Sequence, residues 1–254
     1  MAETSRLGPA SVALSVHEFF TRELAAIDSD VDGALAREEQ RQRGQLELIA
    51  PKNYMSRAAR QAHASIIAFT SVEGYPGERW HAGTINLDEI EDLAVSRARE
   101  LFGCGYANVQ PHSGTQANQA VFFALLEPGD TVLNMSLRDG GHLSHGDPGN
   151  FSGRWFRSVY YGVRESDGLI DYDAMAEACR RERPRLIITG GSSYPRAIDF
   201  ARCCEIARSV GAYLLADVAH FSGLVAAGVY PNPFPHVDVV TTSTNKNLRG
   251  PVAA

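Results

Sequence analysis

The spacing of apolar residues along the chain predicts an alternation of helices and buried strands. Apolar positions recur every three to four residues over residues 88–102, and this segment begins with acidic side chains, as a helix N-terminus favours. Four short runs rich in leucine or β-branched residues are typical of buried strands. They cover residues 131–134, 186–189, 212–216 and 237–242. Because helical stretches such as residues 200–210 separate these runs, we expect an α/β domain with a mostly parallel sheet.

The N-terminal segment has a different pattern. Residues 16–45 are rich in Glu, Arg, Gln and Ala, with apolar residues at helical spacing, which predicts an N-terminal helical arm. We therefore divide the chain into an arm, residues 1–45, and a large domain, residues 46–254.

Composition and charge narrow the class of protein. The chain has 254 residues, of which 44% are hydrophobic, enough to bury one large core. Its formal net charge of -6, with both signs interspersed, provides no basic stripe for nucleic acid and no polybasic segment for a membrane. We therefore expect a protein that acts on small molecules, with neither nucleic acid nor a membrane as a partner.

The cysteines and the N-terminus favour a cytoplasmic location. Cys104, Cys179, Cys203 and Cys204 form no C-x-x-C pair and no spacing typical of a disulfide framework, which indicates a reducing compartment. The first residues lack the sustained apolar core of a secretory leader, and no apolar run reaches the ~18 residues of a membrane span.

One motif has the features of an anion site. Residues 111–118 read PHSGTQAN, and we expect an apolar helix to follow over residues 119–126. The N–H groups and positive dipole end at such a helix start attract anions. Ser113 and Thr115 add hydroxyl donors, and Gly114 permits close approach. An ordinary helix N-cap is the alternative.

Two ionisable residues follow predicted strands. Asp217 ends an apolar run, where a carboxylate is costly unless a cation or hydrogen-bond donors meet it. Lys246 follows a hydroxyl-rich run, and desolvation there would lower its pKa and free the amine for Schiff-base chemistry. About one strand-connection-strand unit separates them, so both side chains could emerge at one edge of the sheet. The alternatives are a strand-capping Asp217, a core histidine at His220 and a solvated surface lysine at Lys246.

Six segments occur in an order and at a spacing that resemble one known family. They read LELIAPKNYMS, EGYPGERWHAGT, NVQPHSGTQAN, DGGHLSHG, LLADVAHFSGLVAAGVYPNP and VVTTSTNKNLRGP. From about Leu46 to Pro251 the chain is similar to the serine hydroxymethyltransferases. The resemblance implies a pyridoxal 5'-phosphate (PLP) transferase of fold type I, with a mostly parallel, seven-stranded-type sheet and flanking helices. It also implies a homodimer or homotetramer whose sites are completed across subunits.

The resemblance implies a set of residues that hold PLP. Lys246 matches the lysine that forms the Schiff base, Asp217 the partner of the pyridine nitrogen, and His142 the histidine that stacks on the ring. Three residues match the phosphate cradle, and three more match positions that contact the ring substituents. The cradle consists of Ser113, Gly114 and Thr115, and the ring contacts are Asn118, Ser192 and His220.

Other matched positions face the substrate or tetrahydrofolate, the expected co-substrate. Glu73 matches the glutamate assigned to proton transfer and folate contact, while Leu137 and Leu143 match folate-lining positions. Trp80 and His81 stand where the family has a tyrosine pair. The implied reaction is the interconversion of serine and glycine, by retro-aldol cleavage with PLP as electron sink and tetrahydrofolate as acceptor.

The pair His142-x-x-His145 has a metal site as its alternative, because histidines three residues apart on a helix can chelate zinc. Glycines around the pair argue against a helix, and no cysteine or carboxylate cluster supplies further ligands. We expect no metal.

Several positions depart from the family pattern. They are Pro51 and Lys52 in place of Ser-Glu, Ser71 in place of a tyrosine, the Trp80-His81 pair, Asn245 in place of a histidine, and Val252 in place of an arginine. The chain also stops before the family's C-terminal small domain, which carries the arginine that binds the substrate carboxylate. We therefore expect impaired turnover.

Two alternatives to serine and glycine chemistry remain open. Ser71 and the segment RWHAGT resemble α-methylserine hydroxymethyltransferases and threonine transaldolases. The other alternative is an inactive fragment, or a remnant that only binds a partner chain.

Overall fold

The computed structural model describes residues 15–254. The chain divides into two compact units, of which the first ends at Leu48 and the second covers Ile49–Ala254. The first unit is helical, as predicted for residues 16–45. Its helices are α1 (Val16–Thr21), α2 (Leu24–Ile27) and α3 (Ser29–Gly44). Residues 1–14 of the predicted arm lie outside the described part, and a domain boundary after residue 45 remains a prediction.

Local interactions define the ends of these helices. Ser15 and Glu18 form a reciprocal capping box at the start of α1, with the Ser15 hydroxyl accepting from the Glu18 N–H at 3.2 Å. Asp28 caps α3 by accepting from the Val31 N–H at 3.0 Å. None of the three helices contains a buried residue. Their described packing therefore adds little to stability beyond caps and exposed ion pairs.

The second unit contains the remaining helices and all described strands. The helices are α4 (Arg57–His63), α5 (Ile85–Phe102), α6 (Gly114–Leu125), α7 (Phe151–Trp155), α8 (Tyr172–Glu182), α9 (Phe200–Val210) and α10 (Ser222–Ala226). The strands are β1 (Gly74–Tyr75), β2 (Glu78–Arg79), β3 (Thr131–Met135), β4 (Arg157–Tyr161), β5 (Leu186–Gly190), β6 (Tyr213–Asp217) and β7 (Val239–Thr241). Among the helices of this described part, none is long and apolar enough to cross a membrane.

A parallel sheet with the order β4-β3-β5-β6-β7 forms the centre of this unit, and β1 and β2 form a separate antiparallel hairpin. The predicted α/β class with a mostly parallel sheet and flanking helices is confirmed. The described sheet has five strands where the resemblance implied seven. The Ala254 N–H donates to the Pro111 carbonyl at 2.9 Å, but one such bond does not make a strand pair, which needs a ladder of bonds.

The four predicted strands are confirmed with small shifts in their ends. Sequence patterning missed β4, because this edge strand buries only one of its five residues and so lacks an apolar run. The helix predicted over residues 119–126 begins five residues earlier, at Gly114. Its start was wrong because Ser113 caps the helix by accepting from the Gln116 N–H at 3.2 Å, which places the polar motif inside the first turns.

Helices cover both faces of the sheet. Leu133 and Ile187 belong to one buried cluster with residues of α8 and α9. Val132 and Ile188, their neighbours in sequence, pack with Phe122 of α6 in a second cluster. This alternation buries both faces, which explains the continuous apolar runs in the strands. Because the strands are parallel, their carboxyl ends all meet at one edge, where polar side chains can converge.

A glycine allows two of these strand ends to approach closely. Gly190 pairs with Asp217 across β5 and β6 and has a φ of +104°. A Cβ at this position would overlap the backbone carbonyl oxygen of Asp217. Only glycine therefore fits both the backbone conformation and the approach to Asp217.

Candidate functional site

The Asp217 carboxylate lies buried at the carboxyl end of β6 and accepts three hydrogen bonds. Asn118 Nδ2 at 2.8 Å and His145 Nε2 at 2.9 Å contact Oδ2, and the Ala219 N–H contacts Oδ1 at 3.0 Å. Burial opposes ionisation, but the hydrogen bonds from His145, Asn118 and Ala219 outweigh it and hold the pKa of Asp217 well below its usual range. The site thus contains a buried negative charge that is suited to a cationic ligand group.

Asn118 connects three elements around this carboxylate. Its side chain lies on α6, is fully buried, and donates through Nδ2 to both Asp217 and the Ser144 hydroxyl, the latter at 2.9 Å. Its Oδ1 accepts from the Thr241 hydroxyl at 2.7 Å. Thr241 in turn pairs with Asp217 across β6 and β7. Every polar atom of the Asn118 amide is occupied, so its orientation is fixed.

The same network fixes the protonation of His142. Ser144 donates its backbone N–H to His142 Nδ1 at 3.2 Å, and its hydroxyl oxygen lies 2.8 Å from the same atom. Because this hydroxyl accepts from Asn118, its own proton points to Nδ1, which leaves the proton of the neutral ring on Nε2. Burial, followed by the charges of His145 and Lys246, lowers the pKa of His142 against the opposing effect of Asp217. His142 is therefore a neutral imidazole at neutral pH.

Lys246 lies in a loop that two asparagine side chains hold in place. Asn53 Nδ2 donates to the Lys246 carbonyl at 2.9 Å. Asn247 donates to the His220 carbonyl at 2.7 Å and accepts from the Gly223 N–H at 2.9 Å. Burial lowers the pKa of the Lys246 amine, while the charge of Asp217 partly opposes this change. A larger fraction of the amine is therefore neutral than in an exposed lysine.

The predicted phosphate cradle lies at the start of α6. Ser113 is the N-cap, and Gly114 and Thr115 are the first two helical residues, whose N–H groups have no partner within the helix. A Cβ built on Gly114 would lie 3.5 Å from the Thr242 carbonyl oxygen and 3.7 Å from Ser243 Cβ. The helix start thus lies against the segment that leads from β7 to Lys246.

These residues fit PLP in three respects. The start of α6 offers backbone donors and a positive dipole end to a phosphate. Asp217 offers a buried carboxylate to a protonated ring nitrogen, and Lys246 offers an amine of lowered pKa to an aldehyde. Both side chains interact electrostatically with each other and with His220.

Ser192, another residue that we predicted to contact the cofactor ring, lies beside the loop that carries His142. The Ser192 N–H donates to the Gly140 carbonyl at 2.7 Å. Leu137 and Leu143 lie on short 3-10 turns on either side of His142 and are half exposed. A cleft of about 240 Å³ is lined by Leu137, His142, His145 and five neighbouring residues. The folate-lining role of the two leucines remains a prediction.

The β1–β2 hairpin carries the remaining predicted substrate residues. Glu73 contacts His81, with 3.0 Å between Oε2 and Nε2, and accepts the Trp80 N–H at its backbone carbonyl at 3.1 Å. The Trp80 side chain is 80% exposed. No hydrogen bond or ion pair among the described residues joins the side chains of Glu73, Trp80 or His81 to the Asp217 network.

The buried Arg79 guanidinium holds this hairpin against α5. It donates to Asp88 at 2.7 Å and to Glu91 at 2.6 Å. It also donates to the carbonyls of Val72 at 3.2 Å and Gly74 at 2.6 Å, the residues on either side of Glu73. The backbone that carries Glu73 is therefore rigidly attached to α5.

Sequence reasoning missed several residues that complete the Asp217 network or hold the Lys246 loop. They are Asn53, Ser144, Thr241 and Asn247, and His145 was considered only as a metal ligand. His145 instead uses Nε2 for Asp217, and His142 uses Nδ1 for Ser144. Over residues 15–254, no group of three or more His, Cys, Asp or Glu side chains is placed to hold a metal. A usable signal was the clustering of polar residues beside Lys246 and inside the GGHLSHG segment.

The lowered pKa of His220 makes stability depend on pH. Burial, and then the charge of Lys246, lowers the pKa of His220 to about 4, while Asp217 opposes and His142 adds to the shift. Between pH ~6.5 and about 4 the unfolded chain binds a proton at this position that the folded chain does not. The free energy of unfolding should therefore fall as the pH falls through this window. The slope is at most about 1.4 kcal/mol per pH unit, and solvent screening at this half-buried group reduces it.

Denaturant unfolding at a series of pH values measures this slope, and His220→Gln should flatten it. The matched control is His63→Gln, because His63 is exposed on α4. An unchanged slope in His220→Gln would show that His220 binds its proton over the same pH range in the folded and the unfolded chain.

Comparison with known proteins adds an independent observation. A family model described as serine hydroxymethyltransferase matches residues 24–254. The serine hydroxymethyltransferase of Caulobacter sp. (strain K31) is 56% identical over 244 residues, which cover 96% of this chain and 56% of that protein. That of Rhodospirillum centenum is 57% identical over 233 residues, or 92% of this chain and 54% of the relative. The chain thus spans about half the length of the curated relatives it matches.

Proposed function

Because the chain belongs to the serine hydroxymethyltransferase family, we propose that it is the cofactor-binding part of a PLP enzyme that interconverts serine and glycine, with tetrahydrofolate as the one-carbon acceptor. One observation carries the proposal. The carboxylate of Asp217 is held ionised by three donors and interacts with the half-buried amine of Lys246, whose pKa is lowered.

Each protein group has a distinct role in this proposal. Lys246 binds the cofactor aldehyde through its neutral amine, and Asp217 holds a proton on the ring nitrogen. His142 covers the ring with a neutral imidazole, and the start of α6 binds the phosphate. PLP, when bound, supplies a sink for the electrons released as the Cα–Cβ bond of serine breaks.

Several further residues are proposed as contacts. Asn118, Ser192 and His220 contact the ring substituents of the cofactor. Glu73 moves a proton and binds folate together with Trp80, His81, Leu137 and Leu143. The cleft that Leu137 shares with His142 supports a folate position beside the cofactor.

We propose that the active form is a homodimer or homotetramer in which the hairpin of one subunit completes the site of another. Large apolar side chains on the second unit support this, because such exposure marks interaction surfaces. Those exposed by more than 70% include Ile66, Phe69, Trp80, Ile85 and Tyr106. The free thiols of the four cysteines support a reducing, cytoplasmic setting. Light scattering of the PLP-loaded protein tests the assembly, and a compact monomer would contradict it.

Parallel assays of two substrate pairs test the reaction. We expect the PLP-loaded chain to form glycine from serine with tetrahydrofolate at least about tenfold faster than from threonine with an aldehyde, with Lys246→Ala as the blank. The reverse preference would mean that the chain performs threonine transaldolase or α-methylserine hydroxymethyltransferase chemistry. PLP binding without turnover of either pair would mean that the chain binds the cofactor but is not by itself the enzyme.

A further inference from the structure

Three buried polar atoms near the Asp217 network have no hydrogen-bond partner among the described residues. They are Nδ1 of His145, Oδ1 of Asn134 and Oγ of Ser158. His145 and Asn134 are at most 1% exposed, so bulk solvent does not reach their side chains. Buried polar atoms are normally paired, and an unpaired one costs free energy. The three atoms therefore mark a place where a small polar ligand can complete the hydrogen bonding.

The fold brings these three residues together around Gly146. Asn134 lies on β3, and Ser158 on β4 pairs with the residue two positions before it, so both side chains lie on one face of the sheet. A Cβ built on Gly146 would overlap Ser158 Oγ and would lie 2.7 Å from Asn134 Nδ2. His145 precedes Gly146, and its Nδ1 is bonded to Cγ, on the side of the ring nearer to this backbone.

The backbone of Gly146 is already used by other partners. Its N–H donates to the Ser152 hydroxyl at 2.8 Å, and its carbonyl accepts from the Tyr160 hydroxyl at 2.7 Å. Its φ of +119° and the contacts that a Cβ would make both require glycine. The backbone that covers Asn134 and Ser158 is thus held in place on both sides of the peptide.

The hydrogen-bonding capacities of the three atoms match those of one water molecule. His145 Nε2 lies 2.9 Å from Asp217 Oδ2, and because an ionised carboxylate only accepts, Nε2 carries a proton. In the neutral ring Nδ1 is therefore an acceptor, and Asn134 Oδ1 is a second acceptor, whereas the Ser158 hydroxyl can donate. A water that donates to both acceptors and accepts from the hydroxyl satisfies all three atoms.

We propose that a buried water molecule links Nδ1 of His145 to Asn134 and Ser158, and that these two residues thereby position the His145 proton on Asp217. Waters with two to four polar partners are regular parts of protein interiors. A neutral ring with its proton on Nδ1 would direct the lone pair of Nε2 at the Asp217 carboxylate. The water donates to Nδ1 and so excludes this form of the ring. The water site belongs to the chain itself and requires no cofactor.

A crystal structure of the unmodified chain, at a resolution that shows buried waters, tests the site directly. We expect an ordered water within about 3.2 Å of His145 Nδ1, Asn134 Oδ1 and Ser158 Oγ. A well-ordered site without this water would overturn the proposal, whether the three atoms then bond to one another or stay unpaired.

The 15N chemical shifts of the His145 ring test the positioning role. They separate a protonated ring nitrogen from an unprotonated one, and they report whether an unprotonated nitrogen accepts a hydrogen bond. In the cofactor-free chain at pH ~8, above the usual range of histidine, we expect a protonated Nε2 and an accepting Nδ1. Asn134→Leu fills the site with an apolar group of similar shape. The Nδ1 shift should therefore move to that of a nitrogen that accepts no hydrogen bond.

Two further variants complete the series. Ser158→Ala removes one partner of the water and should move the Nδ1 shift in the same direction by a smaller amount. It also keeps the test decisive if Asn134→Leu does not fold. Ser209→Ala is the matched control, because Ser209 donates its hydroxyl to the Ile206 carbonyl at 2.6 Å near the end of α9. It should leave the His145 shifts unchanged.

The outcomes separate a positioning role from a merely structural one. A lower stability of Ser158→Ala or Asn134→Leu with an unchanged Nδ1 shift would mean that these residues only fill space, and the proposal would fail. A protonated Nδ1 in the unmodified neutral ring would overturn it as well. A change in the Nδ1 shift that appears in the folded variants at Asn134 or Ser158, and not in Ser209→Ala, would support it.

Discussion

Asp217→Asn should destabilise the protein and weaken cofactor binding together. Oδ2 accepts from Asn118 and His145, and Oδ1 accepts from the Ala219 N–H. In either orientation, the amide of the substituted side chain places its NH2 group where a carboxylate oxygen accepted a hydrogen bond. Because NH2 is itself a donor, at least one buried donor loses its acceptor. The loss should lower the free energy of unfolding by about 1–3 kcal/mol.

The same substitution removes the charge that holds a proton on the cofactor ring. An ion pair at ~3–4 Å in a medium of effective dielectric ~20 is worth on the order of 4 kcal/mol. We therefore expect PLP affinity to fall at least about tenfold, as measured by titration. Asp167→Asn is the matched control, since Asp167 is exposed and, among residues 15–254, its hydrogen bonds go to nearby Arg164 and Leu169, so it should change neither quantity appreciably. Unchanged PLP affinity in Asp217→Asn would remove Asp217 from the cofactor site.

The dependence of the free energy of unfolding on acid pH provides a second test of the contribution of Asp217. Hydrogen bonds hold its folded pKa below the unfolded value, so its contribution is fully present above pH ~4. This contribution is lost as the pH falls towards the folded pKa. Below pH ~4 the free energy of unfolding of Asp217→Asn should therefore fall less than that of the unmodified chain. Asp167→Asn should differ from the unmodified chain only by the small contribution of a screened surface ion pair.

Lys246→Ala should abolish covalent attachment of PLP while leaving the fold intact. Its amine is half-buried, and desolvation disfavours its charge, so removing it deletes an unfavourable burial rather than a stabilising contact. The backbone of the loop remains held by Asn53 and Asn247. We expect no absorbance from bound, covalently linked cofactor, no turnover, and a thermal unfolding midpoint near that of the unmodified chain.

The chain provides a natural control, because its only other lysine is Lys52. Lys52→Ala should retain the covalent cofactor band, because Lys52 is exposed and follows Pro51 in the segment before α4. Loss of the band in Lys52→Ala with its retention in Lys246→Ala would reverse the assignment.

The sequence predicted the sheet and the convergence of Asp217 and Lys246, because apolar runs and strand-end polar residues are local signals. It did not predict the contacts among Asn118, Ser144, His145 and Thr241. Asn118 lies 99 positions from Asp217 and 123 from Thr241, and only the folded sheet brings these residues together. The sequence pattern also did not predict the buried hydroxyl of Ser243, which is unpaired within residues 15–254, because its burial depends on the packing of α6 against the segment after β7.

The placement of the hairpin was also beyond sequence reasoning. Patterning gave no strand near Glu73, because β1 and β2 contain two residues each and are held by the Arg79 interactions with α5 rather than by an apolar run. The first residues of α6 were placed before the helix because Gly, Thr and Asn have low helix propensity.

Borohydride reduction of the PLP-loaded chain, followed by peptide mapping, tests the central claim that Lys246 holds the cofactor. Reduction fixes the cofactor on the nitrogen that carries it, and the chain has only two lysines among which to choose. We predict stoichiometric pyridoxyl label on the peptide that contains Lys246 and none on the peptide that contains Lys52. Label on Lys52, or bound PLP that leaves Lys246 unlabelled after reduction, would contradict the account.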